Sequence, residues 1–568
     1  MRVLVSFLLY ATLLLSACQT QDGGRTTRQQ ERPNILLLTA EDLSARIGAF
    51  GDGVAVTPNL DRLSTQGVRY PNTFTTAGVC APSRAGLITG VRQTAIGGQH
   101  MRAYGLKSFR AVPPPEVKAF PELLRKAGYF TFTTAKLDYQ FSHTLVGTGP
   151  FTIWDQETFS EADWSGSPAE KPFYGQINYN VTHESGVFPI GWPRSITHAI
   201  MILPRWIALM GRAQVMDPAD IELPPYYPDT PTVRADLARH YENVHIMDEG
   251  VGATLDSLER DGLADSTIVI WTTDHGDGLP RGKRSLFDSG IKVPMIIRWP
   301  EKFRPPGVEP GSIDERLVSF VDLSATILDL AGVPTPDWMD GRVFAGPRAT
   351  APRKYVFASR DRIDKWPDRE RAVRDDRYKY IRTYTPGTPA ALNLAFRNNL
   401  DMMRELRAKF EAGELNPAQS LWFQPRPADQ LYDLQKDPHE VVNLAEDPAH
   451  RETLVRLQSA LDSWIAERPD LSDMPEEEMI ETYWPGGEQP DTVRPDVRLE
   501  PAGDYMLVTI SSPTQSASIG YRLIDGTGNG GTWQIYAGPF SVPVGTTIES
   551  KAVRYGWAES PVINVPTI

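Results

Sequence analysis

Cysteine is scarce in this chain, whose 568 residues include only Cys18 and Cys80. A surplus of basic residues is also absent, because the formal net charge is -13 at pH 7. This acidic balance argues against nucleic acid as a partner, so an anionic ligand would have to be attracted by a local basic patch. The chain also lacks a long repeat. With 41% hydrophobic and 23% charged residues it can bury a large core, and its length predicts more than one folded unit.

The first residues have the order of an export signal: a basic residue, an apolar run and small residues before a cysteine. The segment Leu15-Ser16-Ala17-Cys18 resembles a bacterial lipobox, in which cleavage leaves the cysteine as a lipidated amino terminus. We therefore expect residues 1–17 to be a lipoprotein signal peptide, Cys18 to carry lipid, and residues 18–32 to be a polar tether. This predicts a lipid-anchored protein of the bacterial cell envelope, in the periplasm or at the outer-membrane surface. An ordinary signal peptide with a chance cysteine is the alternative.

The expected export makes Cys80 unusual, because spare thiols in an oxidising compartment are normally paired. If Cys18 carries lipid, Cys80 has no partner left. An unpaired thiol in such a place is either buried and inert or chemically special.

From residue 33 onward, short apolar strands alternate with helical stretches, which predicts an α/β fold with a mostly parallel sheet covered by helices on both faces. The predicted strands are Ile35–Leu38, Tyr129–Thr134, Ile177–Val181, Ile268–Trp271 and Val293–Ile297, and the predicted helices include Thr57–Gln66, Phe120–Ala127 and Arg234–Asp261. In such sheets, ligands bind beyond the carboxyl ends of the strands.

Breaks rich in proline and glycine divide the rest of the chain. They predict a catalytic α/β domain over residues 33–350, a smaller α+β subdomain over 351–485, a linker over 486–500 and a β-sandwich module over 501–568. Trp533 and Trp557 in this last module are candidates for stacking on sugar rings, although packing into a core is the commoner role of such residues.

In the segment Cys80-Ala81-Pro82-Ser83-Arg84, with Thr89-Gly90 downstream, Pro82 suits the first position of a helix and Gly90 suits the residue just past its end, which predicts that Cys80 lies at a helix amino terminus. A helix amino terminus attracts oxyanions such as sulfate or phosphate. The motif also resembles the signature of the type I sulfatases, a family with an alkaline phosphatase-like fold. The resemblance implies that Cys80 is oxidised to formylglycine by a formylglycine-generating enzyme or an anaerobic maturase, and that the hydrated aldehyde attacks sulfur. It also makes Arg84 a catalytic candidate.

Two acidic pairs follow predicted strands and so belong at the same edge of the sheet: Glu41-Asp42 and Asp274-His275. Carboxylates gathered there repel one another unless a cation joins them. Glu41, Asp42, Cys80, Asp274 and His275 are therefore the candidate metal ligands. Oxygen ligands favour Ca²⁺, and the imidazole leaves Mg²⁺ or Mn²⁺ open. The family commonly has aspartate where this chain has Glu41.

Basic and titratable residues complete the expected site. The resemblance implies that Lys136 and Lys283 bind sulfate oxygens and that His183 gives a proton to the leaving group. The family's Gly-Lys-x-His segment is Ala135-Lys136-Leu137-Asp138 here, so its histidine is missing. Asp138 cannot replace this histidine as a donor to sulfate at neutral pH, so part of the leaving-group chemistry must differ or be carried by another residue. The predicted substrate-binding residues are Asp138, Arg284 and His100.

The sequence over residues 33–450 resembles the heparan N-sulfatase (sulfamidase) branch, through Leu223–Asp229, Met247–Gly252 and Lys136–Tyr139. This implies a sulfated carbohydrate substrate, with N-sulfate and O-sulfate both open. A phosphoester or phosphonate hydrolase of the same superfamily is one alternative. A non-catalytic glycan-binding lipoprotein is another.

Overall fold

The computed structural model describes residues 32–101, 109–159, 164–189, 203, 207, 215–524 and 530–567. The predicted signal peptide, the lipidation site Cys18 and most of the tether lie outside these residues. Among the helices of the described residues, none is long and apolar enough to cross a membrane.

An eight-stranded sheet forms the centre of the fold. Its order is β4-β3-β5-β1-β6-β7-β2-β8. Five neighbouring pairs are parallel, and β7 runs antiparallel to both β6 and β2. The strands are β1 (Asn34–Ala40), β2 (Gly67–Phe74), β3 (Phe130–Thr134), β4 (Gln156–Thr158), β5 (Phe173–Tyr179), β6 (Thr267–Thr273), β7 (Lys292–Arg298) and β8 (Val318–Ser319). The predicted mostly parallel sheet is confirmed.

Helices cover both faces of this sheet, because successive residues of a buried strand point to opposite sides. Ile35 and Leu37 of β1 pack on one side and Leu36 and Leu38 on the other. The helices of the described residues are α1 (Pro58–Gln66), α2 (Cys80–Thr89), α3 (Phe120–Lys126), α4 (Pro231–Arg260), α5 (Asp288–Ile291), α6 (Phe320–Leu330), α7 (Asp401–Glu411), α8 (Pro417–Ser420), α9 (Arg451–Ala466) and α10 (Glu476–Tyr483). Helices α2, α3 and α6 pack with the first side, and α1 and α4 pack with the second.

A second, antiparallel sheet follows in the chain, with the order β12-β11-β10-β9. Its strands are β9 (Val356–Arg360), β10 (Glu370–Arg374), β11 (Tyr378–Thr383) and β12 (Asp429–Asp433). Leu454, Leu457 and Leu461 of α9 pack against this sheet, so this part of the chain is α+β as predicted.

Two small antiparallel sheets end the chain. One is β13-β14-β17 and the other is β16-β15-β18-β19. The strands are β13 (Asp496–Ala502), β14 (Tyr505–Ser511), β15 (Ser518–Ile524), β16 (Gln534–Ile535), β17 (Phe540–Pro543), β18 (Thr547–Val553) and β19 (Ile563–Pro566). Val508 of the first sheet and Ile548 of the second share one apolar core. These strands form the predicted β-sandwich, called the C-terminal sandwich below, and β13 already begins within the stretch expected to be linker.

Candidate active site

The carboxyl ends of four parallel strands bring the predicted residues together. Strands β3, β5, β1 and β6 are neighbours in that order. The polar residues that follow them therefore meet at one edge of the sheet. Glu41 and Asp42 follow β1, Asp274 and His275 follow β6, Lys136 follows β3, and His183 follows β5.

Cys80 is the first residue of α2 and lies in the middle of this group. Its Sγ is 3.3 Å from Nε2 of His275 and 3.7 Å from Oδ1 of Asp42. Gly90 ends the helix in the left-handed conformation, at φ 69°, as its type predicts. Burial raises the pKa of the Cys80 thiol, but the charges of Lys136 and Lys283 outweigh burial and lower the pKa to about 7. The site therefore favours negative charge at residue 80.

Three buried carboxylates surround the thiol, and each accepts a hydrogen bond from a lysine or arginine side chain. Glu41 accepts hydrogen bonds from Arg84 and, at 2.5 Å, from Lys136 Nζ. Asp42 accepts from Lys283 Nζ at 2.6 Å. Arg84 Nε also donates to Asp274 Oδ2 at 3.1 Å. Although burial raises the pKa of Asp42, the charges of Lys283 and of two neighbouring imidazoles together outweigh burial and hold that pKa well below the usual range.

The donor atoms fit a bound cation. The ligand atoms of Glu41, Asp42, Cys80 and His183 all lie within 4.8 Å of one another, and so do those of Asp42, Cys80, Asp274 and His275. Nδ1 of His275 donates to the carbonyl oxygen of Gly276 at 2.9 Å, which turns Nε2 toward the carboxylates. Burial lowers the pKa of His275, but Asp274 and Asp42 raise it to about 10. The cluster thus attracts positive charge strongly.

His183 lies on the open side of the group, with 26% of its side chain exposed. Its Nε2 is 3.2 Å from Nζ of Lys283, and its Nδ1 is 2.9 Å from the hydroxyl of Ser185. Burial and the charge of Lys283 lower the pKa of His183 to about 4. Because His183 is partly exposed and lies beside Lys283, its imidazole can contact a ligand that binds this lysine.

The three predicted substrate-binding residues differ in position. Oδ2 of Asp138 is 3.8 Å from Nζ of Lys136, so Asp138 belongs to the group. Arg284 is buried and forms an ion pair with Glu184 at 2.7 Å. Within the described residues, His100 contacts Arg362 and Gln140 and none of the side chains around Cys80.

Sequence reasoning missed three residues that hold the site in place. The backbone N–H of Glu184 donates to Oδ2 of Asp42 at 2.6 Å, while its carboxylate pairs with Arg284 and Arg397. Oδ1 of Asn178 accepts from Nη1 of Arg84 at 2.9 Å. Glu184 is adjacent to His183 in the sequence and could have been found there. Arg397 lies 213 residues away, and no motif marks it.

This chain is similar to two protein-family models and to several known proteins. The family model described as Sulfatase matches residues 33–333, and the model described as N-sulphoglucosamine sulphohydrolase, C-terminal, matches residues 281–394. An ulvan-active sulfatase of Formosa agariphila is 39% identical over 94% of this chain and 92% of its own length. The human N-sulphoglucosamine sulphohydrolase is 28% identical over 77% of this chain and 90% of its own length. The solved structure of a 2-O GAG sulfatase shares the fold, with a TM-score of 0.54 and 19% identity over 77% of this chain and 93% of that one.

Proposed function

This chain belongs to the sulfatase family, and we propose that it releases sulfate from sulfated glycans with residue 80, oxidised to formylglycine, as the nucleophile. The observation that carries the proposal is the position of Cys80. Its Sγ lies at the amino terminus of α2, among buried carboxylates and beside the charges of Lys136 and Lys283. A tetrahedral oxyanion would find backbone amides and cations there.

The acidic cluster supports a divalent cation as the second component. Glu41, Asp42, Asp274 and His275 would hold it, together with residue 80. We propose Ca²⁺, since three carboxylates make the site rich in oxygen, and the imidazole keeps Mg²⁺ or Mn²⁺ as alternatives. When bound, the cation supplies positive charge that polarises the sulfate group.

The other roles follow from the positions of the side chains. Lys136 and Lys283 would bind sulfate oxygens and offset the negative charge that develops in the reaction. His183 would pass a proton to the leaving oxygen or nitrogen, because its Nε2 lies next to Lys283 on the open side. A sulfate bound to Lys283 would offset the lysine charge that lowers the pKa of His183. Arg84 is buried and donates to both Glu41 and Asp274, so it would position these two carboxylates.

For the substrate we propose sulfate esters of an ulvan-like polysaccharide. The support is the ulvan-active relative, which matches 94% of this chain at 39% identity. The human N-sulphoglucosamine sulphohydrolase matches less of the chain at lower identity, so an N-sulfated amino sugar is the second candidate.

We also propose that the enzyme is anchored by lipid and that a second enzyme matures it. Lipid on Cys18 would hold the enzyme to the cell envelope, where extracellular polysaccharide fragments arrive. A maturation enzyme that oxidises Cys80 would be a required partner.

The test measures sulfate release from ulvan oligosaccharides, N-sulfated glucosamine oligosaccharides and one aryl group carried as either its sulfate or its phosphate ester. We expect release from ulvan oligosaccharides and the aryl sulfate, formylglycine at residue 80 by mass spectrometry, and no release by Cys80→Ala. Chelation followed by addition of Ca²⁺, Mg²⁺ or Mn²⁺ identifies the metal. Protein that contains formylglycine but releases no sulfate, or that hydrolyses the phosphate faster than the sulfate, would overturn the proposal.

A further inference from the structure

The C-terminal sandwich contacts the segment that carries Lys136 into the active site. Residues 33–568 form one compact unit. The sandwich contacts both the helix before β3 and the loop after it. Lys136 is the second residue after that strand.

On the helix side, the contact centres on Glu122 of α3, a carboxylate without exposed surface. The hydroxyl of Tyr555, which follows β18, donates to Oε2 of Glu122 at 2.8 Å. Ser518 of β15 donates to Oε1 at 2.7 Å, and Thr152 donates to Oε2 at 2.6 Å. Two residues of the sandwich thus satisfy a buried charge of the large domain.

Further bonds surround this contact. Nζ of Lys118 donates to the carbonyl oxygen of Ser516 at 2.6 Å, and Nη2 of Arg125 donates to that of Trp533 at 2.9 Å. Every one of these partners lies on α3 or just before it. The sandwich therefore holds α3, the helix that leads into β3.

On the loop side, the ring of Tyr555 stacks on Phe141, with centroids 4.9 Å apart and planes 26° apart. Gly556 approaches so closely that a Cβ there would lie 2.5 Å from the carbonyl oxygen of Ala111. The N–H of Ala111 in turn donates to the carbonyl oxygen of Gln140 at 3.0 Å. Both contacts end on the loop that follows Lys136.

That loop folds back on itself as a short ladder. Lys136 pairs with Leu145, and the N–H of Asp138 donates to the carbonyl oxygen of His143 at 3.1 Å. Phe141 lies at its tip and is fully buried. A ring packed against Phe141 therefore limits how far Lys136 and Asp138 can move.

The tryptophans of the sandwich are engaged in protein contacts. The ring of Trp533 contacts Phe151, with centroids 5.7 Å apart, and the cations of Arg522 and Lys551 lie 4.8 and 4.9 Å from its centroid. Trp557 packs against the cluster around Trp484. This arrangement favours a structural use of the sandwich over stacking on sugars.

We infer that the C-terminal sandwich is a brace for the active site, with Tyr555 as the positioning residue that holds the Lys136–Asp138 loop. The inference rests on the proposed function in one respect: its effect on turnover requires that Lys136 binds sulfate.

The test compares full-length Tyr555→Leu, which removes both the ring stack and the hydrogen bond, with Tyr555→Phe, which keeps the ring. Tyr505→Leu is the matched control, because Tyr505 lies on β14 with half of its surface exposed. The first measurement is hydrogen exchange of peptides covering residues 135–145, which does not depend on activity. The second is kcat and KM on a small aryl sulfate, which is too short to reach a glycan site on the sandwich.

We expect Tyr555→Leu to speed exchange in the 135–145 peptides and to lower kcat by about tenfold or more, because small displacements of binding groups are costly. Tyr555→Phe should keep most of kcat, and Tyr505→Leu should match the wild type in both measurements. Should Tyr555→Leu not fold, Phe141→Leu tests the same stack from the loop side. Unchanged exchange in the folded variant overturns the inference, and so does a rise in KM confined to long oligosaccharides. If the wild-type protein releases no sulfate, only the proposed function is contradicted, because hydrogen exchange tests the role of Tyr555 independently of activity.

Discussion

At the scale of single residues, Asp138 marks where this site departs from its family. The side chain is buried at the position where the resemblance leads one to expect histidine, and Oδ2 lies 3.8 Å from Nζ of Lys136. A carboxylate this close offsets part of the lysine's charge. The residue also has a positive φ of 58°, a conformation that aspartate and asparagine adopt more readily than most residues.

Asp138→Asn should therefore tighten the binding of an anionic substrate without disturbing the backbone. We expect KM for an aryl sulfate to fall by about threefold, because the substitution removes a negative charge close to Lys136 that repels the anionic substrate. Steady-state kinetics at constant ionic strength measure this effect, and Asp256→Asn on the exposed face of α4 is the control. A higher KM would instead show that Asp138 contacts the substrate.

The sequence motifs indicated most of the residues that the structure gathers around Cys80, but not the residues that hold them in place. Cys80, Asp42, Asp274, Lys136 and Lys283 were predicted because each lies in a short motif beside a strand or helix. Asn178 and Arg397 were not predicted, because they act through contacts across 94 and 213 residues, which no local pattern encodes. Glu184 was missed although it is the neighbour of His183 in the sequence. His100 was expected to bind substrate, and its contacts are elsewhere.

At the scale of secondary-structure elements, Arg84 ties α2 to the ends of three strands. Its guanidinium donates to Glu41 after β1, to Asn178 in β5 and to Asp274 after β6. Arg84 is buried, and so are all three acceptors. The planar fork of arginine suits this task, whereas a lysine ammonium cannot reach three diverging groups.

Arg84→Lys should consequently lower the free energy of unfolding by about 3 kcal/mol, since at least one buried carboxylate loses its partner. Arg62→Lys provides the control, because Arg62 forms an exposed pair with Asp256, for which we expect less than about 1 kcal/mol. Denaturant titration of both variants checks the difference. Equal losses would contradict the role given to Arg84.

The limits of prediction at this scale have physical causes. The helices α1, α3 and α4 were predicted to within a few residues because their apolar residues recur with helical spacing. Strand β5 was predicted as Ile177–Val181 but runs from Phe173 to Tyr179. Gly175 interrupts its apolar pattern, and the structure shows why: a Cβ there would lie 2.1 Å from the ring of Phe132. The antiparallel placement of β7 depends on tertiary pairing, which the sequence does not reveal.

At the scale of the whole molecule, Glu122 links the large domain to the C-terminal sandwich electrostatically. Burial raises the pKa of Glu122, but Lys126, Lys118 and the hydroxyls that donate to it lower the pKa to about 2. The ordinary value is 4.5, so the folded state binds this proton less tightly than the unfolded state. The resulting stability is present above about pH 4.5 and is lost as the pH falls through about 2.

Glu122→Gln should therefore lower the free energy of unfolding at pH 7 by about 2 kcal/mol, and its deficit relative to the wild type should shrink at pH 3. Denaturant titration at the two pH values measures this, with the exposed Glu259→Gln as control. A deficit that stays constant between pH 7 and pH 3 would show that the charge of Glu122 is not what matters.

The burial of Cys80 limits when this residue can be modified. Only 1% of Cys80 is exposed, and the imidazole that closes over it comes from a position 195 residues later. An oxidising enzyme cannot reach a thiol enclosed in this way, so the proposed conversion has to occur on nascent or unfolded polypeptide. Maturation and folding therefore compete in time. On the proposed mechanism, a chain that folds first would keep its thiol and stay inactive, so the active fraction of a preparation would record which process was faster.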